Sequence, residues 1–354
     1  MRRGAEREIH GLGTRLVARG EEVRLLTSTP TGLTRRRVLD GLPVRYVRLP
    51  HPRPLAERGL SDVAAFAAIA LPALLASRAD LVHAWHYGDA WAAVQAGRVH
   101  RRRPVVLKLT GTVVPERMEQ VRVDRRLLRE AIAGADEVWC NSRYAHEVMA
   151  PFGVPMHVVP AGVDLDRFRA RGAKGDRPTV LCTSAPEDPR KRLVDVLDAW
   201  PAVLSEVPDA RLVIAGHVTE PTRRALLDRL PASAVDHVAL VGDLDDDALA
   251  EAYAQAHAVV APALHEALGL TTIEALASGT PVAGARSGAT ADLLTDEVGA
   301  RFEPADAEAC AAALLAALAL GQQPSTAERC RAAATPFGWD AVVAQVQARW
   351  AGLV

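Results

Sequence analysis

Residues Pro262-Ala-Leu-His-Glu266-Ala-Leu-Gly269-Leu-Thr-Thr-Ile-Glu274-Ala-Leu-Ala-Ser-Gly279-Thr-Pro281 decide how the chain reads. An apolar run, Ala258-Val-Val-Ala261, ends at Pro262. A loop of small residues follows through Gly269, then an amphipathic segment stopped by Gly279 and Pro281. That is strand, loop, helix. In an α/β protein this kind of loop is where ligands bind, because the first N–H groups of the helix point outward unpaired. Two carboxylates eight residues apart flank it, with Glu266 expected in the loop and Glu274 in the first helical turn. The stretch reads as a ligand-binding site.

Outward from the motif the same alternation holds. Strands are expected at 179–183, 211–215, 237–241, 258–261 and 281–285, with a short segment at 300–303. Between and after them come helices at 192–206, 221–230, 246–255, 306–319, 325–334 and 338–351. Upstream, strands at 43–49, 80–85, 104–109, 137–140 and 156–159 alternate with helices at 60–77, 89–99 and 123–133, and Asn141-Ser142 caps another. Strands alternating with helices imply parallel sheets. Residues 169–178 are polar, Gly-bearing and non-periodic, the composition of a linker. The expected plan is an N-terminal α/β domain over 1–170, a linker at 171–178, a C-terminal α/β domain over 179–335 and a final helix within 336–354 returning toward the first domain.

The start is unusual. Residues 5–19 read as a helix with Ile9, Leu12, Leu16 and Val17 on one face, and the strand 22–27 follows it. An α/β domain ordinarily opens with a strand. Either that strand is missing here or the chain begins later than its relatives do.

With 354 residues, two domains are the prior. The composition, 49% apolar and 24% charged, is that of a soluble globular enzyme. Residues 1–170 carry 27 Lys/Arg against 18 Asp/Glu, and the remainder 15 against 25. The asymmetry suits an anionic partner or membrane surface at the first half, or mutual attraction of the two domains across a cleft. Only Lys108, Lys174 and Lys191 interrupt a set of 39 arginines, a bias typical of a GC-rich genome. Four cysteines without metal-ligand spacing read as buried thiols of a reducing cytoplasm. Nothing resembles a signal peptide, and the apolar stretch 63–76 is too short to span a bilayer. The expectation is a cytoplasmic protein with peripheral membrane contact left open and no nucleic-acid partner.

Several further stretches carry a resemblance. These are Arg3-Gly-Ala-Glu6, Leu16-Val-Ala-Arg-Gly20-Glu-Glu-Val23, Ala135-Asp-Glu-Val-Trp-Cys-Asn-Ser142, Val158-Val-Pro-Ala-Gly-Val-Asp164 and Pro208-Asp-Ala-Arg-Leu-Val-Ile-Ala-Gly216. Together with Glu266 and Glu274 as an E-x7-E signature, and in this order, the sequence resembles glycosyltransferase family 4 over essentially its whole length. The resemblance implies the GT-B fold, two Rossmann-like domains facing a central cleft, here with the first strand of the N-terminal domain lacking. It implies a retaining transfer of a hexosyl unit from a UDP- or GDP-linked sugar to an acceptor hydroxyl, with no metal and no cofactor. Small-molecule, lipid-linked and glycan acceptors all remain open.

By the same resemblance Glu274 would hold the ribose hydroxyls, which suits a carboxylate accepting paired O–H bonds. Its plain structural reading is a capping box, Thr271-Thr-Ile-Glu274. Glu266 would contact the donor sugar. Gly269, Leu270 and Thr271 would offer N–H groups to the diphosphate. Lys191, with Arg190 as substitute for an arginine that relatives carry where Ser184 and Ala185 stand, would neutralise the departing phosphate. Val241 and Leu244 would pass along the nucleobase, and Gly4, with Arg2 and Arg3, would lie near the donor phosphates. Thr110 stands where many relatives have His; it can donate a hydrogen bond but not act as a base near neutral pH. His83 and His86 are acceptor-side candidates or simply packing and surface histidines. A catalytically impaired binding protein is the rival reading. A nicotinamide dehydrogenase is disfavoured because no G-x-G-x-x-G joins a strand to a helix.

Overall fold

The computed structural model describes residues 4–29, 34–49, 61–99, 102–112, 122–172, 174–184 and 186–354. Arg2, Arg3 and Ala185, named above, lie outside them. The chain divides into two compact units, Arg2–Gly162 with Asp340–Val354 (the N-unit) and Val163–Trp339 (the C-unit).

In the N-unit, helix α1 (Gly4–Ala18) is the first described element. It buries Leu12 and Leu16 as expected, but Ile9 and Val17 are only half-buried. Glu8, an acid, takes a place on the buried face. Strands β1 (Leu25–Thr29), β2 (Arg35–Leu39) and β3 (Leu42–Arg48) follow. β1 begins three residues later than the pattern predicts, and β2 was not predicted at all. β2 and β3 form an antiparallel hairpin closed by Asp40 and Gly41, both at positive φ (47° and 81°). An Asp-Gly pair is a favoured two-residue hairpin turn because its twist matches that of the strands.

After α2 (Asp62–Leu75) come β4 (Val82–Ala84), α3 (Tyr87–Val99), β5 (Val105–Leu109), α4 (Arg122–Gly134), β6 (Glu137–Cys140), α5 (Arg143–Met149) and β7 (Met156–Val158). β4 to β7 pair in sequence order, all parallel, and Ser142 caps α5 through the Ala145 N–H as expected. β1, β3 and β2 form a separate sheet in the order β1-β3-β2. In a doubly wound sheet the first strand is the one that joins two such halves. Among the described residues no strand does.

The C-unit carries β8 (Thr179–Thr183), α6 (Leu193–Glu206), β9 (Arg211–Ala215), α7 (Glu220–Leu227), α8 (Ala232–Val235), β10 (Val238–Gly242), α9 (Asp246–Gln255), β11 (Ala258–Ala261), α10 (Leu270–Ala277), β12 (Val282–Ala285), α11 (Ala289–Leu293), β13 (Gly299–Phe302), α12 (Ala307–Gly321) and α13 (Thr326–Ala334). Its six strands are all parallel in the order β10-β9-β8-β11-β12-β13, which is 3-2-1-4-5-6, the Rossmann order. One face packs Val180, Cys182, Leu212, Ile214 and Val260 on Trp200 of α6 and Leu314 of α12. The polar segment after Gly162 is held on this unit. Val163 bridges Gly338, Arg171 pairs with Glu251, and Lys174 donates to Thr280 Oγ1 at 2.6 Å. Helix α14 (Trp339–Ala351) closes the chain, in the N-unit from Asp340 onward. The four cysteines are free and buried.

Candidate ligand site at the strand ends of the C-terminal unit

The reversal of strand order falls between β8 and β11, the crevice where open α/β sheets bind ligands beyond the carboxyl ends of their strands. Helix α10 begins there. Gly269 is its cap, in the left-handed region at φ 79°, and a Cβ on it would lie 2.9 Å from Thr290 Oγ1. No side chain caps the helix, so its first N–H groups, those of Leu270 and Thr271 among them, take no bond from a capping side chain.

This overturns the capping-box reading. The helix starts at Leu270, so Glu274 stands in the second turn, too deep to reach the cap. Its side chain is 5% exposed, and Oε2 accepts from the Tyr253 hydroxyl at 3.2 Å. Tyr253 in turn lies 2.8 Å from Thr183 Oγ1, which lies 3.3 Å from Thr271 Oγ1. Burial, then the Glu274 charge, pushes the Tyr253 phenol well above its ordinary range, so it stays a neutral donor. The buried Glu274 carboxylate is thus held by Tyr253 of α9, which in turn meets Thr183 at the end of β8.

Lys191 and Glu266 meet. Lys191 Nζ lies 2.5 Å from Glu266 Oε1, and both side chains are 28% exposed. One backbone bond joins their loops, Leu264 N–H donating to Arg190 O, and another ties the Glu266 loop to the start of α11, Ala289 N–H donating to Glu266 O, both at 2.8 Å. Gly288 (φ 66°) lets the β12–α11 turn pass so close that a Cβ would fall 2.5 Å from Glu266 N. Arg190 points elsewhere, to Asp188 at 2.6 Å. Burial raises that carboxyl, but the bonds from Arg190 outweigh it and hold it below its ordinary value. Glu187 pins the same loop to the start of α7 by accepting from Thr219 N–H and the Thr222 hydroxyl. At the end of β10 a bulge between Leu240 and Gly242 turns Val241 outward, 44% exposed, while Leu244 is half-buried.

The N-unit carries the remaining expected residues. Gly4 is exposed at the start of α1. Thr110 is half-buried at the end of β5, its carbonyl accepting from Asn141 Nδ2 at 2.9 Å. His83 stacks on Trp85 and meets Trp139 and Trp350 edge-on, with Nε2 buried and no hydrogen-bond partner. Burial first, then the Lys108 charge, lowers its pKa to about 3, so the imidazole stays neutral. His86 is exposed against the Tyr87 ring. Beneath the strand ends, Glu8 and Lys108 form a buried ion pair, with Lys108 also donating to Pro160 O at 3.2 Å and lying over the Trp85 ring. Among the described residues no group of three His, Cys, Asp or Glu side chains could hold a metal, and no helix is long and apolar enough to cross a membrane.

Sequence reading missed Tyr253, Thr183 and Gly288 at the site. Only the Ser287-Gly288 turn dipeptide carried a local signal.

Two family profiles match the chain. One, described as glycosyltransferase family 4, matches residues 2–167; the other, glycosyl transferases group 1, matches residues 177–319. The phosphatidyl-myo-inositol mannosyltransferase of Mycobacterium tuberculosis is 32% identical over 199 residues, covering 53% of this chain and 52% of that protein. A GDP-mannose-dependent alpha-(1-6)-phosphatidylinositol dimannoside mannosyltransferase from the same species is 33% identical over 202 residues, 54% of this chain and 52% of that one. The chain thus spans about half the length of the curated relatives it matches. Sucrose-phosphate synthase from Thermosynechococcus elongatus superposes with a TM-score of 0.75 at 23% identity, covering 99% of this chain and 94% of that one. At that identity it shows the fold, which is GT-B.

Proposed function

Since this chain belongs to the group 1 glycosyltransferases of family 4, we propose that it moves a hexosyl unit from a nucleotide-diphosphate sugar to an acceptor hydroxyl with retention at the anomeric carbon. The observation that carries the reading is the convergence of Lys191, Glu266 and the start of α10 at the strand-order reversal of the C-unit. The donor diphosphate sits on the N–H groups of Leu270 and Thr271, where the helix dipole favours negative charge. Its arrival draws Lys191 from Glu266 to the phosphate. The ammonium then stabilises the leaving charge as it develops, and Glu266 turns to the hydroxyls of the donor sugar. Glu274, steadied by Tyr253, accepts from the ribose hydroxyls. In the transfer, the bond from the anomeric carbon to phosphate oxygen breaks and that from the acceptor oxygen forms. The acceptor's proton passes to the departing phosphate oxygen, so no side-chain base is needed and Thr110 is compatible with activity.

The acceptor class stays broad: a lipid-linked inositol, an aminocyclitol or other small core, or a growing glycan. No cofactor or metal is required in this scheme. The alternative, a binding protein that no longer catalyses, draws on Thr110 in place of His and on Ser184 where relatives place an arginine.

Calorimetry with UDP and with GDP tests the site. One nucleotide binds in the micromolar range, and Glu274→Ala weakens it roughly 100-fold, as loss of two hydrogen bonds to a charged group predicts. Binding of neither nucleotide, or unchanged binding in the variant, overturns the assignment. Slow release of free hexose from the bound donor separates an enzyme from a mere binder.

A further inference from the structure

The β2–β3 hairpin carries Arg35, Arg36, Arg37, Arg45 and Arg48 within 14 residues, and its one acid, Asp40, lies 2.9 Å from His10 Nε2 on α1. All five arginines are exposed. Arg35 lies over the Tyr46 ring, 5.2 Å from its centroid. Among the described residues, Arg36, Arg37, Arg45 and Arg48 make no ion pair. Register sets Arg36 directly opposite Arg45. Like charges facing each other across two strands destabilise a sheet. A lone charge on edge strand β2 would guard against edge-to-edge pairing. That explanation does not reach Arg45 and Arg48, which lie on β3, the central strand of its sheet. Beside the turn, Val38 is 68% exposed and Pro43 is also exposed. A cationic ribbon with a small apolar tip has the chemistry of a headgroup-level contact: phosphates between the guanidinium groups, apolar atoms at the acyl boundary.

We propose that the β2–β3 hairpin docks the protein on an anionic phospholipid bilayer, with Arg36 and Arg45 sharing lipid phosphates and Val38 entering the interface. The docking is independent of the nucleotide site in the C-unit. A phosphate between Arg36 and Arg45 turns their repulsion into two charge-assisted bonds.

The test is co-sedimentation of the full chain with phosphatidylcholine vesicles containing roughly a third phosphatidylglycerol, against pure phosphatidylcholine. The protein sediments with the anionic vesicles only, and raising salt from about 0.1 to about 0.5 M releases it. Arg36→Ser/Arg45→Ser lowers the partition coefficient roughly 10- to 30-fold, at about 1 kcal/mol for each charge. Arg78→Ser/Arg169→Ser, an equal loss of charge at exposed positions elsewhere, changes it less than 3-fold. The hairpin variant's melting temperature is unchanged or raised, because the substitutions relieve a repulsion, so loss of binding is not loss of fold. Equal losses in both double variants would mean diffuse charge attraction and overturn the proposal. So would binding to a single-stranded oligonucleotide of matched charge but not to vesicles. Nucleotide calorimetry on the same samples keeps the two readings apart, since a protein that binds nucleotide but no vesicle refutes the docking alone.

Discussion

Lys108 is one of three lysines in a chain that otherwise uses arginine, and its ammonium is buried with the Glu8 carboxylate. A compact cation with three donors suits this place, where it meets a carboxylate, the Pro160 carbonyl and the face of Trp85. Burial pushes the Glu8 carboxyl up and Lys108 pulls it back; burial likewise lowers the Lys108 ammonium while Glu8 raises it. Removing one partner strands the other. Lys108→Met should therefore cost about 3–5 kcal/mol in chemical denaturation, and Glu8→Gln/Lys108→Met should recover most of it. The pH profile gives the sign. With its folded pKa raised above the unfolded value, Glu8 alone favours the fold at low pH, and that contribution is lost as pH rises through the folded pKa. Lys108→Met should thus become less stable from pH 4 toward neutrality, while the double variant stays flat across that range. A double variant as unstable as the single one would refute the pairing argument. Sequence alone exposed half of this: Lys108 stands out inside an apolar strand, but nothing local points to a partner on α1, a hundred residues earlier.

At the scale of elements, the strands and longer helices of the C-unit followed from periodicity, whereas the short helices α8 and α11 did not. Failures came where backbone geometry decides. The Glu266/Glu274 signature was readable, but the start of its helix was not, because Gly269 caps it through a left-handed backbone and no side-chain motif. The β2 strand was missed because Arg35-Arg-Arg37 has no apolar alternation, although Asp40-Gly41 marked the turn. Gly288 belongs with these. Its Cβ position falls 2.5 Å from Glu266 N and 2.7 Å from Glu266 O, and its φ is 66°. Gly288→Ala should force the β12–α11 turn off Glu266, costing about 1–3 kcal/mol of stability and weakening nucleotide binding. Gly172 has a similar φ of 62° but open space around it. Gly172→Ala should cost about 1 kcal/mol or less and leave nucleotide binding alone. Equal effects of the two substitutions on binding would show that the close approach at Gly288 does not shape the site.

For the whole molecule, the chain's last helix belongs to the unit that the chain left at Gly162. The two-unit plan was foreseeable from the restart of strand–helix alternation after residue 178. The contacts of α14 were not, because they are made by side chains far apart in sequence. Arg19 pairs with Asp340 at 2.7 Å, Gln345 donates to Val158 O at 3.0 Å, Arg349 reaches Glu137 at 3.1 Å, and Trp350 packs edge-on to His83. Val342, Val343 and Val346 are buried. The exposed Arg19–Asp340 pair contributes little. Three buried valines at about 1.5–3 kcal/mol each amount to a large share of the 5–15 kcal/mol that holds a domain folded. Ending the chain after Trp339 should therefore lower or abolish the melting transition of the N-unit. It should leave that of the C-unit, and nucleotide binding, near the full-length values, because the Rossmann sheet and every residue of its candidate site lie within Val163–Trp339. Scanning calorimetry with and without nucleotide distinguishes the two transitions, since only the C-unit's rises with ligand. If the truncated chain loses the nucleotide-sensitive transition as well, the two units do not fold independently, and α14 supports the ligand site as well as the sheet it packs against.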